Sequence, residues 1–125
     1  MTDSIHDSRV RVLIVDDSED QRHLLRRYFE RAGCDVVVAA TAEEAIVAYG
    51  EGTPDLAVID LILPGMDGWE LTLRLRTDNP DCAIAITSVL DEEDYPTAQA
   101  ALPKPVTGAQ VRQVLRDWVP KWTES

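Results

Sequence analysis

The sequence predicts an α/β fold, a doubly wound parallel sheet with helices on both faces. Three observations carry the prediction. Short, wholly apolar runs recur along the chain, each is followed by an amphipathic stretch of helical period, and polar residues gather where the runs stop. A strand covered on both faces reads as a continuous apolar run. Parallel neighbours need crossover connections, which are overwhelmingly right-handed.

The elements follow in order. Residues 1–8 are polar and without period, and are read as a disordered tail. The ordered domain is expected over 9–119, with a second polar tail over 120–125. Val10-Arg11-Val12-Leu13-Ile14-Val15, Val36-Val37-Val38-Ala39, Leu56-Ala57-Val58-Ile59 and Ala83-Ile84-Ala85-Ile86 read as buried strands, and Ala100-Ala101-Leu102 as the end of a fifth. Between the first pair, Leu24, Leu25, Tyr28, Phe29 and Ala32 share a helical face; between the second and third, Ala42, Ala45, Ile46 and Tyr49 do. Ser18 with Gln21 and Thr41 with Glu44 have the spacing of reciprocal N-terminal caps, and Gly33 and Gly50 fit the stops. A third helix is expected from Gly68 through Leu71 and Leu75. A last one carries Val111, Val114, Leu115 and Trp118 on one stripe. On that stripe Trp118 reads as core, whereas Trp122 in the polar tail reads as a partner contact.

Composition narrows the function. Lys and Arg total 12 against 23 Asp and Glu, a net charge of −11, which argues against binding nucleic acid or an anionic membrane. No apolar run reaches bilayer-spanning length and no secretory signal opens the chain, so a cytoplasmic location is expected. Cys34 and Cys82 form no metal or redox motif and read as buried thiols. His6 and His23 read as surface residues, and Asp91-Glu92-Glu93-Asp94 as a solvated run. With 125 residues in one domain and no output module, any effect is expected to be exerted on another protein through this domain's own surface.

Ligands of such sheets bind at the carboxyl ends of the strands. There the sequence places Asp16-Asp17, Asp60, Thr87-Ser88 and Lys104-Pro105. Taken singly each has an ordinary explanation: a helix-dipole carboxylate, a β-branched strand end, a solvated lysine. Together they gather three carboxylates, a hydroxyl and an ammonium on one rim. Two carboxylates about 4 Å apart repel by roughly 4 kcal/mol at an effective dielectric of about 20, so the cluster calls for a counter-cation. All-oxygen donors with no His or Cys favour Mg²⁺ over Zn²⁺.

Through Val15-Asp16-Asp17, Asp60-Leu61-Ile62-Leu63-Pro64-Gly65-Met66-Asp67-Gly68, Thr87-Ser88 and Lys104-Pro105, nearly the whole chain resembles the receiver domains of two-component response regulators, here of stand-alone type. The resemblance implies a flavodoxin-like five-stranded sheet of order 2-1-3-4-5. It implies Asp60 as phosphoacceptor, Thr87 bonded to the phosphoryl group and Lys104 neutralising it. Asp16 and Asp17 would hold Mg²⁺ directly or through water, together with Asp60 and the backbone carbonyl of Ile62. It further implies a histidine kinase or histidine phosphotransfer protein as donor, a downstream protein target, a monomer or phosphorylation-linked dimer, and a cis Lys104-Pro105 bond. Such a domain is no enzyme beyond promoting its own phosphorylation and dephosphorylation. The chemistry agrees, since a carboxylate nucleophile can form an acyl phosphate and phosphoryl transfer needs mainly positioning and charge neutralisation.

Three features depart from the family pattern. Only 17 positions separate Thr87 from Lys104, and Pro96 lies between them, so the intervening helix should be short, displaced or absent. Ala101 stands where the family usually has an aromatic switch residue. Ile62 and Val89, two positions after Asp60 and Thr87, cannot orient a water by hydrogen bonding, which predicts a long-lived phosphoryl group. Trp69, beside the acceptor loop, reads as packing or as a sensor of the site. The rival reading is a degenerate receiver that docks proteins independently of phosphorylation. A haloacid-dehalogenase-type phosphatase is disfavoured, because the position two after Asp60 is Ile62 and not a second Asp.

Overall fold

A computed structural model describes residues 9–123, so the expectations for the first eight residues, His6 among them, lie outside it. Five strands form one parallel sheet: β1 (Arg11–Val15), β2 (Asp35–Ala39), β3 (Leu56–Asp60), β4 (Ala83–Thr87) and β5 (Ala100–Ala101). Their order is β2-β1-β3-β4-β5, the order that the resemblance implied. Helices α1 (Glu19–Arg31), α2 (Ala42–Glu51), α3 (Gly68–Asp78) and α4 (Gly108–Trp118) make the crossovers and close the fold.

Side-chain alternation along the strands divides the core in two. Val12 and Ile14 face one side, where they pack with Leu25 and Phe29 of α1 and with Val111 and Leu115 of α4. Leu13 and Val15 face the other, with Ala45 and Tyr49 of α2 and with Leu71 and Leu75 of α3. Every residue of β3 and β4 is buried, as strands covered on both faces must be, whereas β2, expected to be buried, lies at the sheet edge with only Ala39 buried and Val37 48% exposed. Burying a Leu, Ile or Phe contributes about 1.5–3 kcal/mol, so the two layers supply the main drive for folding. Cys34 and Cys82 sit in these layers as free thiols.

The caps form much as the spacing predicts. Ser18 Oγ accepts from Gln21 N at 3.2 Å and Thr41 Oγ1 from Glu44 N at 3.1 Å. The return bonds differ: Glu44 Oε1 accepts from Ala40 N, and the Ser18 N–H donates to Asp16 Oδ1 instead of to Gln21. A complete capping box opens α4 at Thr107 and Gln110. Gly33, at φ 88°, ends the α1 region as expected. Gly50 does not end α2; the helix continues to Glu51 and Gly52 closes it.

Between β4 and β5 the chain forms only a three-residue 3₁₀ turn, Glu92–Asp94, in place of a helix. Tyr95 is extended (φ −75°, ψ 146°), as the following Pro96 dictates. Both C-terminal tryptophans depart from their expected placement. Trp118 is 46% exposed, because α4 stops there and Val119 takes the buried position. Trp122 folds back onto the core and donates from Nε1 to the Ala32 carbonyl at 2.8 Å. Among the described residues no helix is long and apolar enough to cross a membrane.

Candidate functional site

The ends of β1, β3 and β4 and the turn after β5 converge on one rim. Asp16 follows β1 and is fully buried, with its backbone N–H donating to the Ala39 carbonyl at 3.1 Å. Asp60 ends β3 and stands in register with Thr87 at the end of β4. Both are buried. Lys104 arrives after β5, where its backbone N–H donates to the Ser88 carbonyl at 3.1 Å and its peptide bond to Pro105 is cis, as expected. His23 is exposed, as expected.

Lys104 Nζ bridges the two buried carboxylates, 3.0 Å from Asp16 Oδ2 and 3.1 Å from Asp60 Oδ2. Only the Asp60 contact has hydrogen-bonding geometry, so Asp16 Oδ2 stays a buried oxygen without a hydrogen-bond partner. Asp16 Oδ1 accepts from Ser18 N at 2.9 Å, and Asp60 Oδ1 from Ile62 N at 3.2 Å. Burial pushes the Asp60 carboxyl above the usual range and the Asp16 charge adds to this, while Ile62 N–H and Lys104 oppose it. For Lys104, burial alone would lower the pKa, but Asp16 and Asp60 outweigh it and hold it above the ordinary lysine value.

Asp16, Asp17 and Asp60 each offer a carboxylate oxygen, all within 4.8 Å of one another. Three negative charges face one ammonium, and a buried carboxylate oxygen lacks a hydrogen bond. A hard dication that prefers oxygen suits this donor set, and Mg²⁺ is such a cation. Thr87 Oγ1 is likewise buried and unpartnered, an available donor on the Asp60 side of the sheet. Buried polar groups are nearly always satisfied, so the unpartnered Thr87 hydroxyl beside three carboxylates that share one ammonium points to a ligand site.

The loop after Asp60 fits around this rim by close backbone approach. Gly68 N donates to the Leu61 carbonyl at 2.9 Å, and a Cβ at Gly68 would lie 2.3 Å from the Asp60 carbonyl oxygen. Only glycine permits that approach. Gly65, at φ 71°, makes the Pro64-Gly65 turn.

Asp16, Asp17, Asp60 and Lys104 are thus brought together, Thr87 stands in register beside Asp60, and Ile62, expected to offer its carbonyl, meets Asp60 through its N–H. Sequence reasoning missed two others, and the part played by Ser88, which it placed at the rim beside Thr87. Arg22 Nη1 donates to the Asp16 carbonyl at 2.8 Å. Ser88 is buried, and its carbonyl takes both Lys104 N and the Tyr95 hydroxyl. Tyr95 itself sat in a stretch read only as a broken helix. Trp69 donates from Nε1 to the Asp94 carbonyl at 3.2 Å, so it packs against the 3₁₀ turn, while Asp91, Glu92, Glu93 and Asp94 are exposed as expected.

Residues 12–116 match the family model of the response regulator receiver domain. The chain is 39% identical over 83 residues to the alkaline phosphatase synthesis transcriptional regulatory protein PhoP of Bacillus subtilis, covering 66% of this chain and 35% of that protein. It is 43% identical over 94 residues to a 14.6 kDa protein encoded in the sodA1 3' region of Leptolyngbya boryana, covering 73% and 70% of the two chains. The chain therefore spans about a third of the Bacillus protein but most of the Leptolyngbya one. Its fold is similar to that of the response regulator TrrA of Thermotoga maritima, solved in complex with Mg(2+)-BeF, at a TM-score of 0.81 and 24% identity over 88% of this chain and 99% of that one.

Proposed function

Because this chain belongs to the response regulator receiver family, we propose that it accepts a phosphoryl group on Asp60 from a histidine kinase or histidine phosphotransfer protein and regulates a partner protein in response. The observation that carries this reading is the Lys104 ammonium held between the buried Asp16 and Asp60, with the unpartnered Thr87 hydroxyl beside them. In the transfer, an Asp60 carboxylate oxygen attacks phosphorus. The phosphorus–nitrogen bond of the donor phosphohistidine breaks, and the imidazole leaves with the electron pair. Thr87 donates its hydroxyl to a phosphoryl oxygen and Lys104 neutralises the charge that Asp60 gains.

Asp16, Asp17, Asp60 and the Ile62 backbone carbonyl would hold Mg²⁺, which when bound supplies the remaining positive charge for the phosphoryl oxygens. The chain acts as a switch and not as a turnover enzyme. It works in the cytoplasm, as a monomer or as a dimer formed on phosphorylation.

One observation favours a second reading, a docking module indifferent to phosphorylation. The β4–β5 segment holds only a three-residue turn, and Ala101 lies exposed on the two-residue β5. The intact cluster weighs against it. Incubation with acetyl phosphate, read by intact mass with Asp60→Asn as control, separates the two. A single phosphoryl adduct that requires Mg²⁺ and is lost in Asp60→Asn is expected. No adduct, even with a cognate kinase, would leave the docking reading.

A further inference from the structure

The chain between β4 and β5 lies across the molecule as a strap instead of a helix, and its attachments are few. Trp69 Nε1 donates to the Asp94 carbonyl at 3.2 Å, and the Arg76 guanidinium donates to the Thr97 carbonyl, so α3 holds the strap at two points. Gln99 pairs with β4 through both its backbone and its side chain, accepting from Ile84 N at 2.8 Å and donating to Ile84 O at 3.0 Å. Near the site Ser88 Oγ accepts from Leu90 N at 3.2 Å, and Tyr95 reaches back to the Ser88 backbone. The Tyr95 hydroxyl donates to the Ser88 carbonyl at 3.1 Å, and its ring packs on the α2/α3 face of the core, as do Trp69 and Leu90.

The Ser88 carbonyl also accepts from the backbone N–H of Lys104 at 3.1 Å. Both of its lone pairs are therefore engaged, one by the strap and one by the lysine that sits between Asp16 and Asp60. Ser88 directly follows Thr87, whose buried hydroxyl lacks a partner. Motion of the Thr87–Ser88 backbone toward a group on Asp60 must pull on Tyr95, and through Asp94 on Trp69.

We propose that Tyr95 is a positioning residue: its hydroxyl clamps the Ser88 carbonyl, sets Thr87 and Lys104 about Asp60, and transmits the loading of Asp60 to the strap and to Trp69. The inference rests on the reading of Asp60 as phosphoacceptor. It differs from simple packing in one respect, because a packing ring would serve equally well without its hydroxyl.

Tyr95→Phe keeps the ring and removes the clamp. Full-chain protein labelled with 5-fluorotryptophan, loaded with beryllofluoride and Mg²⁺ as a phosphoryl analogue, reports both steps by fluorine NMR. Bound fluoroberyllate shows that Asp60 is loaded, and the Trp69 resonance, assigned with Trp69→Phe, shows whether the strap responds. In the unsubstituted chain the Trp69 resonance should move on loading while those of Trp118 and Trp122 stay. In Tyr95→Phe that shift should fall by more than half, and phosphorylation by acetyl phosphate should slow about five-fold, the scale of one modest hydrogen bond, with the melting temperature little changed. An undiminished Trp69 shift together with an unchanged rate in Tyr95→Phe overturns the proposal, as does a Trp69 resonance that never moves when bound fluoroberyllate is present. Absence of bound fluoroberyllate in the unsubstituted chain defeats the acceptor reading itself, and the inference with it.

Discussion

Asp60→Asn should stabilise this protein in the absence of divalent cations, although it removes the residue on which the proposed function depends. The Asp60 oxygen lies within 4.8 Å of oxygens of Asp16 and Asp17 and 3.1 Å from Lys104 Nζ. At an effective dielectric of about 20, each carboxylate repulsion costs about 3.5 kcal/mol and the lysine contact returns about 5 kcal/mol. The balance is roughly 2 kcal/mol against ionised Asp60; burial adds to it and the solvent exposure of Asp17 subtracts from it. Asparagine keeps the size and an acceptor for Ile62 N, leaves Lys104 paired with Asp16, and removes the charge. A gain of about 1–2 kcal/mol follows, read by urea unfolding in EDTA at low salt.

Adding Mg²⁺ should narrow that gap. A ligand that binds the folded state at ten times its Kd adds about 1.4 kcal/mol, and the variant with one carboxylate fewer gains less. The pH dependence has a definite sign. The folded-state pKa of Asp60 is raised above its unfolded value, so the charge costs stability at neutral pH, and that cost is relieved as pH falls through the folded pKa. The gap between the two proteins should therefore be widest near neutrality and close toward the ordinary carboxylate range of about 4. Equal or lower stability of Asp60→Asn in EDTA, or equal stabilisation of both proteins by Mg²⁺, would refute the electrostatic account of the site.

Other outcomes follow from the same geometry. Gly68→Ala places a Cβ 2.3 Å from the Asp60 carbonyl oxygen and 2.5 Å from Leu61 Cα, backbone atoms that cannot yield cheaply. It should lose about 1–3 kcal/mol in urea unfolding and slow phosphorylation, and a variant as stable as the parent would count against that contact. Burial raises the Cys34 thiol to about 11 and the Cys82 thiol to about 12. At neutral pH neither should react with an aromatic disulfide reagent until the chain unfolds, when both should; a rapidly labelled native thiol contradicts this. Ile62 and Val89 are 52% and 74% exposed and offer no polar group to a water. Ile62→Asn should shorten the lifetime of the phosphoryl group about ten-fold as followed by intact mass, and an unaltered decay would show that this position does not control hydrolysis.

Much of the site was legible in the sequence because its residues stop apolar runs. Asp16, Asp60 and Thr87 each follow directly on buried strand residues, and the rule that such sheets bind ligands at their strand ends marks them before any contact is known. That no ordinary helix fits between β4 and β5 was legible too, from the short spacing and Pro96, though not whether it would be short, displaced or absent. The parts played by Ser88, Tyr95 and Arg22 were not. These residues act through a carbonyl, a hydroxyl and a guanidinium whose partners belong to other elements or to the backbone, and residue type records nothing of backbone partners. The tryptophans misled for a related reason. A helical stripe predicts that position 118 is buried but not that α4 stops there and lets Trp122 take up the Ala32 carbonyl.

By itself, then, the sequence determined which segments are strands, which faces of the helices turn inward, and which polar side chains stand at the rim, but not that β2 lies at the sheet edge with Val37 exposed. Those follow from patterns of two and of three to four residues, which are local. Only the tertiary structure decided that Lys104 lies between Asp16 and Asp60, that Thr87 keeps a free buried hydroxyl, and that Tyr95 and Lys104 meet on one carbonyl. Such contacts join residues far apart in the chain, and their distances come from strand order, register and packing rather than from any local period.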